Sequence, residues 1–185
     1  KDLIIEDIKK SITIFKKELG KNSDFFSYPF GEYSLEFKDI IKSLGFKYAF
    51  GQHSGVIDET KDFYELPRFP INEKYGEIKR FNSLTKTLPF KYKKITPDEK
   101  YLLQNKNPPK VKIEFYDVKN LKSISCYSNE GNKWRQTSIK FENENMLLIN
   151  IDEKFVGERG RINCSLRDPS GFWRWLGLQF VISDK

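Results

Sequence analysis

The strongest constraint on the fold is a run of strand-like segments that follows Pro108-Pro109. Segments rich in Val, Ile, Phe, Tyr and Trp recur at a spacing of roughly ten residues. They lie at 110–118, 121–127, 133–142, 145–151, 159–167 and 172–182. Turn-forming residues separate them, as at 129–132 and 168–171. The pattern predicts an antiparallel β-sandwich, or a partly open barrel, over residues 110–185.

The first 85 residues show a different pattern, in which helices and strands alternate. The first predicted helix has one apolar face, formed by Ile4, Ile8, Ile12, Phe15 and Leu19. A second helix begins after Ser34 and ends at Gly45, and strand-like segments lie at 25–28 and 46–50. This alternation predicts an α/β unit with a parallel sheet. Because two strands do not complete a parallel sheet, residues 1–85 are interpreted as the end of a domain that begins upstream.

Charge is unevenly divided between these two units. Residues 1–85 have a net charge of zero, whereas residues 86–185 carry the whole excess of +7. Such a difference supports two units with different surfaces, and the proline-rich stretch 86–109 is predicted to be their linker. No segment is long and apolar enough to be a transmembrane span. A single histidine excludes any site that needs two imidazoles from this chain alone.

The first candidate site is the segment Tyr28-Pro29-Phe30-Gly31. It follows a predicted parallel strand, at the end where α/β barrels place their functional loops. Pro29 fixes its own φ, and Gly31 permits a left-handed turn. The backbone N–H of Phe30 can therefore point into a pocket, where it could stabilise a developing oxyanion. An ordinary strand-to-helix turn is the alternative interpretation.

Three segments together resemble the polysaccharide deacetylase family (carbohydrate esterase family four), in its Tyr-Pro-Tyr/Phe-Gly branch. They are YPFGEY at 28–33, LGFKYAFG at 44–51 and LPRFPI at 66–71. The resemblance covers only the C-terminal portion of that family and implies a distorted (β/α)7 barrel. It also implies a hydrolase that removes N-acetyl groups from a polysaccharide with a bound divalent metal such as zinc.

The resemblance assigns roles to residues of the first unit. It implies that the Phe30 amide belongs to an oxyanion hole and that Tyr28 and Tyr33 contact the substrate. The metal ligands would lie in a missing N-terminal half of the barrel, so the chain alone is expected to be inactive. One departure is Ser27, which stands where the usual family motif has an arginine.

His53 and Arg68 are the remaining catalytic candidates in the first unit. His53 follows a strand on a polar, glycine-flanked loop, where a histidine can act as a general acid for the leaving amine. A solvated histidine without a function is the alternative. Arg68 resembles the late-strand arginine of the same branch, which would orient a catalytic carboxylate. Structural pairing with a carboxylate is the alternative for Arg68.

In the second unit, Trp173 and Trp175 lie on one face of a predicted strand. They either stack on sugar rings or fill the sandwich core. Four arginines are concentrated in the last two strands, where they form a basic face or pair with Glu158 and Asp168. These arginines are Arg159, Arg161, Arg167 and Arg174.

Cys126 and Cys164 lie in predicted strands and are either bridged or free thiols. A bridge would fit an exported or cell-envelope protein, which is where deacetylases of this kind usually act. The alternative function is a non-catalytic glycan-binding or envelope-associated β-sandwich module. Nucleic-acid binding through the lysines and aromatics at 90–94 ranks last, because no stacking motif accompanies the charge.

Overall fold

The computed structural model describes residues 1–183. The first unit contains α1 (Asp2–Leu19), β1 (Phe25–Ser27), α2 (Leu35–Ser43), β2 (Tyr48–Phe50) and α3 (Ile78–Leu84). Gly20 ends α1 with a φ of 71°, and the Ser34 side chain caps α2 by accepting a hydrogen bond from the Phe37 N–H. β1 and β2 pair in parallel.

The apolar faces of α1 and α2 pack against these two strands. Seven buried residues form this small core: Ile8, Tyr28, Tyr33, Ile40, Ile41, Phe46 and Ala49. Edge-to-face contacts of Phe26 with Tyr28 and Phe37 tie β1 to α2.

The expected (β/α)7 barrel is wrong. Within residues 1–183 the structure is mostly β with three α-helices, and β1 and β2 form a sheet of two strands. The second edge of β2 is occupied by the loop around Leu66, whose N–H donates to the Ala49 carbonyl at 2.8 Å. Helix–strand alternation predicted α1, β1, α2 and β2 but not α3, and it does not determine how many strands a sheet contains.

The second unit consists of two packed sheets. Its strands are β3 (Leu88–Pro89), β4 (Tyr92–Thr96), β5 (Tyr101–Leu102), β6 (Val111–Phe115), β7 (Ser125–Ser128), β8 (Arg135–Gln136), β9 (Ser138–Asn143), β10 (Met146–Asn150), β11 (Arg159–Arg167) and β12 (Trp173–Ile182). One sheet has the order β4-β6-β10-β9, and the other has the order β3-β12-β11-β7-β8, with β5 beside β12. Residues of both sheets share one buried core, so the unit is a β-sandwich.

Alternation along β12 separates two environments. The even-numbered residues Leu176, Leu178, Phe180 and Ile182 enter the sandwich core. Trp173 and Trp175 do not belong to that core. We call the side of the six-stranded sheet that bears these tryptophans the outer face.

The predicted linker 86–109 instead supplies β3, β4 and β5. Phe90, Ile95 and Leu102 from this stretch are buried in the sandwich core. The prolines fit this arrangement because Pro89 lies in the two-residue edge strand β3, where little backbone hydrogen bonding is required of it. Pro97, Pro108 and Pro109 lie between strands.

The first unit rests on the outer face of the six-stranded sheet. The Gly177 N–H donates to the Ser54 carbonyl at 2.6 Å, and the Gln179 amide donates to the Phe30 carbonyl at 3.1 Å. A Cβ at Gly177 would lie 2.6 Å from the Ser54 nitrogen, so this approach requires glycine.

Cys126 and Cys164 form a disulfide between β7 and β11. The two residues are register partners in neighbouring strands of the same sheet. Of the two alternatives that the sequence left open, they are therefore bridged rather than free thiols. No helix within residues 1–183 has the length and apolar composition to cross a membrane.

Candidate functional site

Phe30 lies at a strained corner that docks on the sandwich. Its φ is 55° inside the 3₁₀ turn Pro29–Gly31. The Phe30 ring is exposed and lies 5.1 Å from the Arg159 guanidinium, and its carbonyl accepts the bond from Gln179. The predicted unusual turn is present and contacts the second unit through the Phe30 carbonyl and ring. The oxyanion role of the Phe30 N–H stays a prediction.

Tyr28 and Tyr33 are packing residues. Both side chains are buried in the first core, and the Tyr28 hydroxyl donates to the Tyr64 carbonyl at 2.9 Å. Burial is the main reason that the pKa of each hydroxyl lies above its ordinary value. Only 1% of Tyr28 and 5% of Tyr33 is exposed, and their expected role in substrate binding stays a prediction.

His53 is enclosed between the units, and its ring centroid is 6.2 Å from that of Tyr33. Burial is the largest cause that lowers the pKa of His53 to about 3, and the Lys100 charge adds to it. The Nδ1 atom is buried without a hydrogen-bond partner in residues 1–183. A pKa this low keeps the imidazole neutral at pH 7, whereas a general acid must carry the proton that it donates. The catalytic role of His53 stays a prediction.

Arg68 makes a structural contact. Its Nη1 donates to the Ser27 hydroxyl at 2.9 Å, and its backbone N–H donates to the His53 carbonyl at 3.0 Å. None of the ion pairs within residues 1–183 involves Arg68. A carboxylate for Arg68 to orient is therefore not among its partners in this part of the chain.

Acidification should destabilise the protein through His53. Since its folded pKa of about 3 lies below the ordinary 6.5, the unfolded chain takes up the proton first as the pH falls. We expect the free energy of unfolding to fall by about 2 kcal/mol between pH 7 and pH 5. Urea unfolding at both pH values measures this loss, and His53→Gln should flatten it. Equal losses of unfolding free energy in the wild type and the variant would contradict the assignment of this pH dependence to His53.

A cleft on the outer face brings the two tryptophans together, and we call it the tryptophan cleft. Its lining residues are Ser54, Phe69, Arg80, Ser83, Leu84, Thr87, Ser165, Trp173 and Trp175. The cleft has a volume of about 320 Å³. The Phe69 ring meets Trp175 edge-to-face at 6.4 Å, and 43% of Trp173 is exposed. Both predicted tryptophans therefore line one cavity rather than the core.

Several cleft residues were missed at the sequence level. Phe69 lies on the loop after β2, and Arg80, Ser83 and Leu84 belong to α3. Only the docking of the first unit on the outer face brings them beside the tryptophans. Strand alternation indicated the shared face of Trp173 and Trp175, but it carries no information on what covers that face.

The four arginines near the end of the chain divide between two predicted roles, pairing with carboxylates and forming a basic face. Arg159 pairs with Glu32 at 2.5 Å and with Glu158 at 3.4 Å, and Arg174 pairs with Asp168 at 2.7 Å. Arg161 donates to the Gln179 side chain, and Arg167 stacks over Trp173 at 5.4 Å. Pairing therefore accounts for Arg159 and Arg174.

The lysine-rich stretch at 90–94 is also largely accounted for by structure. Phe90 is buried, Lys91 pairs with Glu59 at 2.5 Å, and Lys93 pairs with Glu114 at 3.3 Å. These pairs compensate the charge that nucleic-acid binding would use.

Comparisons with known proteins identify no family. No protein-family model and no curated protein matches the chain. The solved structures that are similar include two of PcoC from Escherichia coli, a copper resistance protein, one of them with selenomethionine. The first has a TM-score of 0.38 and 11% identity over 50% of this chain and 99% of PcoC. The second has a TM-score of 0.36 and 11% identity, over 51% and 98%.

The interpretation as a polysaccharide deacetylase is therefore wrong. No family model matches its motifs, and the barrel that the resemblance implied is not formed, since β1 and β2 make a sheet of two strands. The hydrolase activity and the zinc that this resemblance implied lose their basis with it. Within residues 1–183, no group of three or more His, Cys, Asp or Glu side chains could hold a metal ion.

Proposed function

We propose that this chain is a non-catalytic, glycan-binding β-sandwich module. The observation that carries the proposal is the tryptophan cleft, where Trp173, Trp175 and Phe69 meet on the outer face. Flat aromatic rings pack against the apolar faces of sugar rings and contribute large contact areas. A mostly apolar cleft with a few polar groups is also the usual composition of a ligand site.

Polar side chains of the cleft complement its aromatic rings. Four hydroxyl-bearing residues line it, and hydroxyl groups can donate and accept hydrogen bonds: Ser54, Ser83, Thr87 and Ser165. Sugars present hydroxyl groups of the same kind, so this lining fits a carbohydrate better than a purely apolar ligand.

The proposed place of action is the cell envelope or the exterior of the cell. Support comes from the disulfide between Cys126 and Cys164, because disulfides persist mainly in oxidising compartments. A thiol-labelling assay on cells that express the full chain tests this part of the proposal. Cysteines that stay unlabelled when the chain is unfolded without reductant would agree with it, and cysteines that are labelled under those conditions would contradict it.

Replacing Trp173 by alanine should weaken glycan retention at least tenfold, about 1.4 kcal/mol or more, because the substitution removes an exposed stacking surface. Affinity electrophoresis of the full chain in gels containing chitosan, dextran, polygalacturonate or dextran sulfate measures the change. Trp134 is the matched control, since it is also half-exposed but does not line the cleft. Equal losses in Trp173→Ala and Trp134→Ala, or no retention by any of these polymers, would refute the proposal.

A further inference from the structure

We infer that the tryptophan cleft binds an anionic glycan, one that carries carboxylate or sulfate groups on its sugar rings. This inference rests on the proposed function and names the ligand class of the same site. Among the residues that line the cleft in the described chain, the one charged side chain is Arg80, and no carboxylate is present. A second guanidinium, that of Arg167, stacks over Trp173 at the cleft.

Arg80 is held in place by backbone atoms rather than by an acidic partner. Its Nη1 donates to the Pro70 carbonyl at 3.0 Å and to the Tyr75 carbonyl at 2.7 Å. The guanidinium also lies 5.2 Å from the centre of the Tyr75 ring. Both of its hydrogen bonds within residues 1–183 use Nη1, so Nε and Nη2 remain available to donate to a ligand. The charge is therefore fixed in position and uncompensated.

Arg167 adds a second charge next to the first stacking surface. Its guanidinium lies 5.4 Å from the centre of the Trp173 ring, and its side chain is exposed. The nearby Arg174 differs, because Asp168 accepts from its Nε at 2.8 Å and pairs with its Nη2 at 2.7 Å. Arg174 and Asp168 form a neutral pair, so Arg80 and Arg167 give the cleft a net positive charge.

These features favour one class of sugar polymer over the others. Guanidinium groups bind carboxylate and sulfate oxygens through paired, charge-assisted hydrogen bonds. A neutral glycan can use the stacking surfaces but leaves both charges without a partner. A polymer with amino groups is repelled by them. The cleft therefore combines stacking for the ring with charge recognition for its acidic substituent.

Binding of the full chain to four polymers tests the inference: polygalacturonate, dextran sulfate, neutral dextran and cationic chitosan. We expect either or both of the anionic polymers to bind at least tenfold more tightly than dextran, and that preference to shrink as salt is raised. Polygalacturonate and dextran sulfate distinguish a carboxylate from a sulfate ligand. Arg167→Gln should lower affinity for the preferred anionic polymer about tenfold and leave dextran binding unchanged.

Two further variants separate cleft recognition from general charge attraction. Lys140→Gln removes one exposed positive charge from β9 on the opposite sheet and should have no effect. Arg80→Lys keeps the charge but loses the planar fork, so it should also weaken anionic binding. Equal losses in Lys140→Gln and Arg167→Gln, or Trp173-dependent binding of dextran as tight as that of the anionic polymers, would overturn the inference. The latter result would leave the proposed function standing, whereas failure of all four polymers to bind would remove both.

Discussion

Asp58→Ala should lower the free energy of unfolding by about 3–5 kcal/mol, because it leaves a buried ammonium without a counter-charge. The Asp58 carboxylate and the Lys61 Nζ are 2.6 Å apart, and their side chains are only 5% and 4% exposed. Such a loss is a large fraction of the stability of a typical domain.

The surroundings of Lys61 explain why it cannot turn to solvent. Its Nζ also donates to the Phe90 carbonyl at 2.7 Å and lies 4.3 Å from the centre of the Tyr92 ring. Lys61 therefore joins a loop of the first unit to the sandwich. Burial already lowers the pKa of Lys61, and loss of Asp58 should lower it further. The deficit of Asp58→Ala should then shrink as the pH rises toward the ordinary lysine value, since the variant can bury a neutral amine.

Urea unfolding followed by tryptophan fluorescence measures the effect. The double variant Asp58→Ala/Lys61→Met removes both charges and should recover much of the loss. Glu59→Ala, which breaks the exposed pair with Lys91, is the matched control and should leave the unfolding midpoint almost unchanged. A loss of unfolding free energy in Asp58→Ala no larger than that in Glu59→Ala would contradict the stabilising role of the buried pair.

Local patterns determined the strand assignments of the second unit. Each of the six strand-like segments between residues 110 and 182 contains a strand, because apolar alternation and turn residues are both local signals. β3, β4 and β5 were missed because they lie in the proline-rich stretch that was predicted to be a linker. β3 and β5 have two residues each, so they carry no alternation and depend on pairing with β12. Long-range pairing of this kind leaves little trace in the amino-acid sequence.

The contacts of the first unit with the sandwich could not be predicted for a different physical reason. The Tyr28-Pro29-Phe30-Gly31 turn was predicted to be unusual, and Phe30 does have a positive φ. What the turn contacts depends on the surface opposite it, and Gln179 of β12 donates to the Phe30 and Gly31 carbonyls there. Similarly, the shared face of Trp173 and Trp175 followed from alternation, whereas Phe69 and Arg80 reach the cleft only through tertiary docking.

Replacing both Cys126 and Cys164 by alanine should lower the free energy of unfolding by about 4 kcal/mol. The bond joins residues 38 apart in the sequence, so it removes much of the freedom of a long loop from the unfolded chain. Both sulfurs also lie in the sandwich core, where smaller side chains leave space behind. Glycan binding should persist wherever the variant remains folded, because the neighbouring Ser165, on the opposite side of β11, lines the tryptophan cleft.

Thermal and urea unfolding, each with and without reductant, measure this contribution of the disulfide. Reductant should destabilise the wild-type chain and have no effect on the double variant. The double variant therefore controls for any effect of the reductant other than reduction of the disulfide. Polymer affinity is then measured at a urea concentration where both proteins are folded. An unchanged unfolding midpoint would show that the bond adds no stability. A loss of binding in the folded variant would show that the tryptophan cleft depends on the disulfide. That result would contradict the expectation that the two faces of β11 act independently.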